Sequence, residues 1–386
     1  MGATGMALLG SFKNFTSMFK SMSTLGINNL LVKLVVENKD DKKELSIIYS
    51  TFFWIFLLIS FVLGCGILIF SGCIADFLFF NNSYVIPIQF FGLFLPLVVI
   101  NVFWMAIYNG LEEFKKIVII QIISNILVFG LSAFLIWKQN IYGGLLSVAL
   151  SELLMVSVTF LFVRSDKGYF QFDLQRIINK KYFDAILKFS AMALLSAIIV
   201  PMTQILIRNH IVNHYSIEEA GIWDAVNRLS SFYMLIFSAG LSLYYLPKLA
   251  ALETEEEFKD ELKSYFKILV PLFLIMLIMV FLLKGIILDL AFTPVFSKIK
   301  GFLIWQLSAD FIRIMTLAFG YQILVKAMIK KYFIVEIAFN SIYLFLSYYL
   351  VQFYSSEGAL QAYFFANFFS LILILWMFRK LFKISR

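Results

Sequence analysis

Charge is scarce in this chain. Asp, Glu, Lys and Arg make up 15% of the 386 residues, whereas 61% are hydrophobic and the mean hydropathy is +0.89. Soluble domains carry about a quarter charged residues. A chain this long and apolar cannot cover a water-facing surface, which excludes a soluble globular enzyme, and the same apolar content excludes disorder. What remains is an integral membrane protein. Cysteine is nearly absent. Cys65 and Cys73 fall in one apolar run, where a separation of eight residues is a helical rise of about 12 Å, beyond disulfide reach. Both read as packing residues. The two histidines, His210 and His214, stand at i,i+4 in an expected outer loop and make a weak metal signal. The sequence has no Gly-Lys-Ser/Thr phosphate loop, no His-Glu-x-x-His and no grouped Ser/His/Asp set. No catalytic residue, metal or cofactor is therefore expected. Energy, if needed, would come from an ion gradient of protons or sodium, or from the substrate gradient.

What is abundant is hydrophobic length. Eleven stretches are long enough to span the hydrocarbon core: 5–34, 47–71, 85–108, 117–137, 144–163, 182–207, 219–247, 265–285, 301–323, 333–353 and 359–378. None shows the period-2 pattern of a membrane barrel strand, so an all-α membrane fold is expected. The net charge of +8 is not a nucleic-acid signal, because it sorts by side. Alternate connections hold 22 Lys and Arg, and the connections between them hold 5. The positive-inside rule puts the first set, with the C-terminus, in the cytoplasm.

The chain also repeats. Residues 115–164 laid on 330–379, an offset of 215, give eleven identities in fifty columns, among them Lys115/Lys330, Lys116/Lys331, Asn125/Asn340, Gly143/Gly358 and Arg164/Arg379. Helix starts at 219, 265 and 301 map to 4, 50 and 86 at the same offset, and 182 maps before the first residue. Two six-helix lobes follow as the expectation: an N-terminal lobe over 1–164, a cytoplasmic linker over 165–181, and a C-terminal lobe over 182–386, with eleven helices present and the first missing. Their pseudo-twofold axis should run along the membrane normal. The alternative is a true eleven-helix protein. In the linker, Arg176, Lys180 and Lys181 suit an anionic leaflet. Segment 253–261 reads as a solvated charged loop in preference to a short helix capped by Thr254.

Ionisable residues inside a membrane are costly and face a cavity or a partner. The first span carries Lys13 and Lys20 with Ser17, Thr24 and Asn28 on nearly one stripe. Neither lysine has a local acid, which favours a cavity role. Glu152 is the one intramembrane acid of the first lobe and has no cation at i±3 or i±4, which makes it a candidate for ion coupling. In the second lobe Asp224 and Arg228 stand at i,i+4, while Gln306, Asp310 and Arg313 share one face. Each acid–base set is either an intrahelical salt bridge or part of a binding surface. Arg208 closes the outer end of its span. Arg228 and Arg313 lie about 14 and 18 Å in from the outer side, and Arg228 maps onto Lys13 at the repeat offset. A cation-lined polar cavity suits an anion, and Arg offers bidentate geometry to phosphate. Pro201 lies inside its span as a kink and a possible hinge.

These residues resemble a known family. Gly5-Met6-Ala7-Leu8-Leu9-Gly10, then Gly26-Ile27-Asn28-Asn29 with Lys33, is similar to the second helix of Wzx-type polysaccharide flippases. Ala220-Gly221-Ile222-Trp223-Asp224-Ala225 with Arg228 and Ser230, running to Tyr244-Tyr245-Leu246-Pro247-Lys248-Leu249, resembles their eighth helix and its exit. Trp305-Gln306, Asp310 and Lys326-Ala327-Met328 resemble the tenth and eleventh, and Arg208 after Pro201 and Gln204 also fits. The subgroup is the O-antigen translocase and enterobacterial common antigen lipid III flippase type, within the multidrug/oligosaccharidyl-lipid/polysaccharide exporter superfamily. Lys20 is outside the pattern, and family members begin with one more helix.

The resemblance implies a transporter that turns an undecaprenyl-diphosphate-linked oligosaccharide from the inner to the outer leaflet of the bacterial inner membrane by alternating access. Lys13, Asn29, Arg208, Asp224, Arg228, Gln306, Asp310 and Arg313 would contact substrate. The partners implied are membrane lipids, the polysaccharide polymerase and its chain-length machinery. A multidrug or cation exporter of the same superfamily is the first alternative, although it would favour acids in its cavity. A polytopic polysaccharide polymerase is the second, although it would need a large outer loop.

Overall fold

A computed structural model of the protein describes residues 2–166, 179–252 and 254–382, and these form helices with no strand among them. In chain order the helices are α1 (Gly2–Ser23), α2 (Asn28–Glu37), α3 (Lys42–Ile69), α4 (Ser71–Phe79), α5 (Val85–Gly110), α6 (Phe114–Ser165) and α7 (Lys180–His214). They continue with α8 (Ile217–Gly240), α9 (Leu246–Ala251), α10 (Glu255–Ser264), α11 (Val270–Leu282), α12 (Lys284–Ala291), α13 (Ile299–Val325) and α14 (Ile329–Met377). Seven helical segments of the described residues are long and apolar enough to cross a bilayer. Two of these, α6 with 52 residues and α14 with 49, would be about 78 and 74 Å long if straight, far beyond a hydrocarbon core of about 30 Å. Each folds back at one residue, Asn140 (φ 51°) and Ser355 (φ 53°), and so crosses twice. The expected spans outside these seven fall on α1 and α8, which hold Lys13, Lys20, Asp224 and Arg228. The protein is a multi-pass all-helical membrane protein.

Contacts divide the chain into two compact units, one of Leu8–Ile205 and one of Gly2–Ala7 with Leu206–Arg386. The expected linker 165–181 falls mostly on residues outside those described, and Arg176 lies among them. The contact boundary falls instead within α7. Its first half is tied to the first unit: the Asn179 amide donates to Thr51 Oγ1 at 3.2 Å, the Tyr182 hydroxyl donates to Glu44, and a Cβ on Gly26 would come within 2.5 Å of the Ala193 Cβ.

In the first unit α5 packs along α3 and α6. The expected single span 5–34 is broken between α1 and α2. Leu25 and Gly26 both take positive φ, and the Gly26 amide returns to the Ser21 carbonyl at 2.9 Å, the closing bond of a left-handed helix terminator. Ser23 and Thr24 add side-chain bonds to the carbonyls of Phe19 and Lys20, which compete with helix continuation. Cys65 and Cys73 sit on separate helices and both are free.

The second unit buries Trp223 completely and packs α13 along α14. Segment 254–264 departs from the expected loop. It is helix α10, closed by a capping box in which the Thr254 hydroxyl accepts from the Glu257 amide at 3.2 Å and the Glu257 carboxylate accepts from the Thr254 amide at 3.3 Å. Lys248 of α9 bonds Glu261 of α10, and that carboxylate holds the ammonium above its usual range. His210 and His214 also depart from expectation. They lie within α7, where His210 is buried and stacks on Tyr348 at 4.0 Å. No group of three potential metal ligands exists among the described residues.

The repeat is written in the backbone at the same offset. Glu112 (φ 61°) and Ala327 (φ 47°) terminate α5 and α13 alike, through the bonds Glu113 N to Tyr108 O and Met328 N to Ile323 O, both 2.9 Å. Just past the folds at Asn140 and Ser355, Gly143 and Gly358 press against the carbonyls of Leu135 and Leu350, leaving no room for a Cβ. This close approach is why that column of the repeat is glycine in both units.

Candidate functional site

Polar side chains gather at one place in each unit. In the first, α1 and the two arms of α6 enclose a cavity of about 440 Å³ lined by Lys13, Thr16, Ser17, Lys20, Ser132, Ser147, Ser151 and Glu152. Lys13 and Lys20 reach it from one face of α1 because seven residues are nearly two helical turns. Lys20 Nζ lies 2.9 Å from Glu152 Oε2 and 3.2 Å from Oε1, with the two side chains 30% and 18% exposed. Glu152 has no cation at i±3 or i±4, yet it is paired. The partner comes from α1 and not from α6 itself, a pairing that i±4 reasoning cannot see. Lys13 is exposed toward the same cavity. Asn29 is the second residue of α2, and its side chain lies outside what the structure describes. Pro201 is carried within α7, which runs unbroken from Lys180 to His214.

The second unit builds its polar cluster from α7, α8, α13 and α14. Arg208, 2% exposed, grips Asp224 bidentately, with Nε to Oδ2 and Nη2 to Oδ1 both 2.7 Å. Its guanidinium also lies 5.6 Å from the Trp223 ring centroid. Asp224 is therefore paired across helices with Arg208, and the intrahelical bridge to Arg228 does not form. Arg228 is half-buried, and its Nη2 is buried without a hydrogen-bond partner. Asp310 is fully buried and accepts from the hydroxyls of Ser230 and Tyr233 and from Gln306 Nε2 at 3.1 Å. Arg313 is exposed and does not ion-pair with Asp310. It donates to the Tyr363 hydroxyl at 3.2 Å, and that hydroxyl points at Asp310 Oδ1 at 3.4 Å. Gln306 is buried and leaves its Oε1 unpartnered. One acid of this cluster is thus neutralised by an arginine and the other is solvated by hydroxyls and an amide, which leaves Arg228 and Arg313 as its less engaged cations.

The sequence profile of a family described as polysaccharide biosynthesis protein matches residues 1–252. The chain belongs to that family. Among curated proteins, this member of the polysaccharide biosynthesis family is 24% identical over 369 residues to a lipid III flippase of Escherichia coli (strain K12), covering 94% of this chain and 87% of that protein. A lipid III flippase of Shigella flexneri matches to the same extent. Solved structures share the fold. A multidrug resistance MATE family transporter of the MOP superfamily in an inward-facing conformation gives a TM-score of 0.82 at 14% identity, covering 100% of this chain and 93% of that one. Lipid II flippase MurJ, inward closed, gives 0.70 at 16% identity over 97% and 86%.

The sequence did not point to Tyr233 and Tyr363, which complete the shell of Asp310, nor to Asn101 and Ser124, which are buried in the first unit. A tyrosine in an apolar run carries no positional signal of its own. Asn101, one of two amides inside the run 85–108 with Gln89, is the readable clue.

Proposed function

We propose that the chain is a flippase that turns an undecaprenyl-diphosphate-linked oligosaccharide, of O-antigen or enterobacterial common antigen type, from the cytoplasmic to the outer leaflet of a bacterial inner membrane. The observation that carries this reading is the cavity holding Lys13 and Lys20 against one carboxylate, Glu152. A net positive, hydroxyl-lined cavity inside an apolar helical unit gives a diphosphate a route that hydrocarbon denies it. Arg228 and Arg313 are the less engaged cations of the second unit's cluster, and the family and the relatives named lipid III flippase agree with the reading. The polar sites would be exposed to each side in turn. Glu152, released from Lys20 when a phosphate takes the lysine, is the candidate for coupling to protons or sodium. The polymerase and chain-length machinery would receive the product, and the Lys- and Arg-rich connections with the C-terminus would face the cytoplasm. The cation-exporter alternative is disfavoured because cations outnumber acids in the cavity.

The test is a deletion strain whose accumulated lipids are identified by mass. A lipid-linked oligosaccharide should accumulate, wild-type protein should clear it, and a Lys13→Ala variant present at normal membrane levels should clear it poorly. Absence of any such lipid, together with export of a cationic dye by purified protein in liposomes, would favour the exporter.

A further inference from the structure

The first unit contains a second cavity that the cation-lined one does not explain. It measures about 410 Å³ and lies where α2, the end of α5 and the start of α6 meet, toward the Lys-rich connections. Asn28, Asn101 and Ser124 line it, with Met105 and Ile120 among the apolar side chains between them. Asn101 is 4% exposed and Ser124 is fully buried. Asn28 Oδ1, Asn101 Oδ1 and Ser124 Oγ are all buried without a hydrogen-bond partner in the protein. Buried polar groups in native folds are nearly always paired. Three orphans on one cavity wall therefore indicate that their partners arrive with a ligand.

The chemistry of the wall narrows that ligand. Its amides and hydroxyl are neutral, and each unpartnered oxygen accepts a hydrogen bond, so the ligand donates hydroxyl or amide hydrogens. The intervening aliphatic surface suits a C–H face. Volume falls in the range of small-molecule sites, roughly 300–1,000 Å³. No carboxylate lines the cavity, and its one charged group is the Lys20 ammonium, so a metal cation is disfavoured. Lys20 lines the cation-lined cavity as well. A group bound here would sit directly beside a headgroup bound there.

We propose that this cavity is a subsite for a neutral pyranose ring of the transported glycan, held next to the diphosphate across Lys20. The proposal rests on the flippase reading, and it adds where sugar identity is sensed. Asn101 and Asn28 take the ring hydroxyls or an N-acetyl group, Ser124 takes a third donor, and the aliphatic wall takes the ring face. The site lies on the side from which a cytoplasmically assembled glycan would load.

The experiment uses the full chain in lipid nanodiscs with two probes: a panel of methyl glycosides of glucose, galactose and N-acetylglucosamine, and undecaprenyl diphosphate without sugar. Variants Asn101→Leu and Ser124→Ala should weaken binding of the preferred glycoside tenfold or more and leave affinity for undecaprenyl diphosphate within twofold. Their unfolding temperatures should be unchanged or higher, because the groups removed had no partner in the protein. Lys13→Ala should show the opposite pattern, losing the diphosphate probe and keeping the glycoside. Glycoside binding unaltered by both pocket variants overturns the proposal. So does a fall in unfolding temperature without selective loss of the glycoside, since the groups would then serve packing. If the wild type binds undecaprenyl diphosphate and no glycoside, the subsite is wrong and the flippase reading stands. If it binds glycosides through Asn101 yet never moves a lipid-linked glycan in liposomes, the flippase reading fails and the sugar pocket stands.

Discussion

Replacing Arg208 with Met should be the most damaging single change in the second unit. It leaves the Asp224 carboxylate, 5% exposed, without the two 2.7 Å bonds that satisfy it. Breaking a buried ion pair from one side costs about 3–5 kcal/mol, and loss of the desolvated cation over Trp223 adds roughly 2 kcal/mol. Removing both charges is a different perturbation. Arg208→Met with Asp224→Leu removes both members of the pair, and replacing a buried pair by apolar side chains of similar volume is often neutral. The double variant should therefore recover most of the loss, with a coupling energy of about 2–3 kcal/mol in the double-mutant cycle. Reversing the pair, Arg208→Asp with Asp224→Arg, should also recover a good part. Exchanging Asp224 with Arg228 should not, because it sets an arginine at 224 against Arg208. Equilibrium unfolding in mixed micelles reads all of these. A cost below about 1 kcal/mol for Arg208→Met, the upper end of what an exposed pair gives, would refute the reasoning, and so would rescue by the 224/228 exchange.

Gly143→Ala and Gly358→Ala should each destabilise by about 1–3 kcal/mol, because the new Cβ meets the Leu135 or Leu350 carbonyl; an unchanged unfolding midpoint for either would contradict the close approach. Thr254→Ala should cost about 1 kcal/mol by opening the capping box of α10, and faster amide hydrogen exchange at the Glu257 amide checks it locally. Arg228→Lys removes the buried unpartnered Nη2, so stability should hold or rise while flipping falls about tenfold through loss of the bidentate fork; flipping at the wild-type rate would take Arg228 out of phosphate recognition. Glu152→Gln should uncouple transport from an imposed proton gradient, and normal export with and without the gradient would leave Glu152 a structural partner of Lys20.

Helix positions were legible because hydrophobic length is the dominant signal in lipid, and most expected spans lie within observed helices. The breaks were less legible. The stop at Leu25–Gly26 was hidden inside an apolar run that lipid tolerates and that only a positive φ interrupts. Helix α10 was missed because three consecutive glutamates read as solvated charge, although the same glutamates favour a helix N-terminus once Thr254 caps it. For the site, the residue types were readable and the pairings were not. Spacing of i,i+4 nominated Arg228 as the partner of Asp224, yet the bond goes to Arg208, sixteen residues away on α7. Likewise Glu152 is paired by Lys20 at a separation of 132 residues. Periodicity reports which residues share a face of one helix and is silent about which neighbouring helix that face meets.

The repeat separates what the fold requires from what the function uses. At an offset of 215, the two units keep the same helix terminators at Glu112 and Ala327, the same reversals at Asn140 and Ser355, and the same glycines three residues on. All of these are backbone requirements, met by positive φ or by the absence of a Cβ. The polar side chains of the candidate sites do not follow the repeat in this way. Glu152 maps to Asn367, which bonds the Tyr363 carbonyl of its own helix at 2.8 Å, and Asp310 maps to Leu95, a buried core residue. Lys13 and Arg228 keep their charge at equivalent positions, yet Lys13 is exposed beside a cavity while Arg228 is half-buried. Backbone geometry has thus been held in common while the polar groups diverged. A symmetric substrate would not demand that divergence. On the flippase reading proposed above, a substrate with a diphosphate at one end and sugars at the other would use it, with the lysines of α1 for the headgroup and the neutral groups of the first unit's second cavity for a sugar.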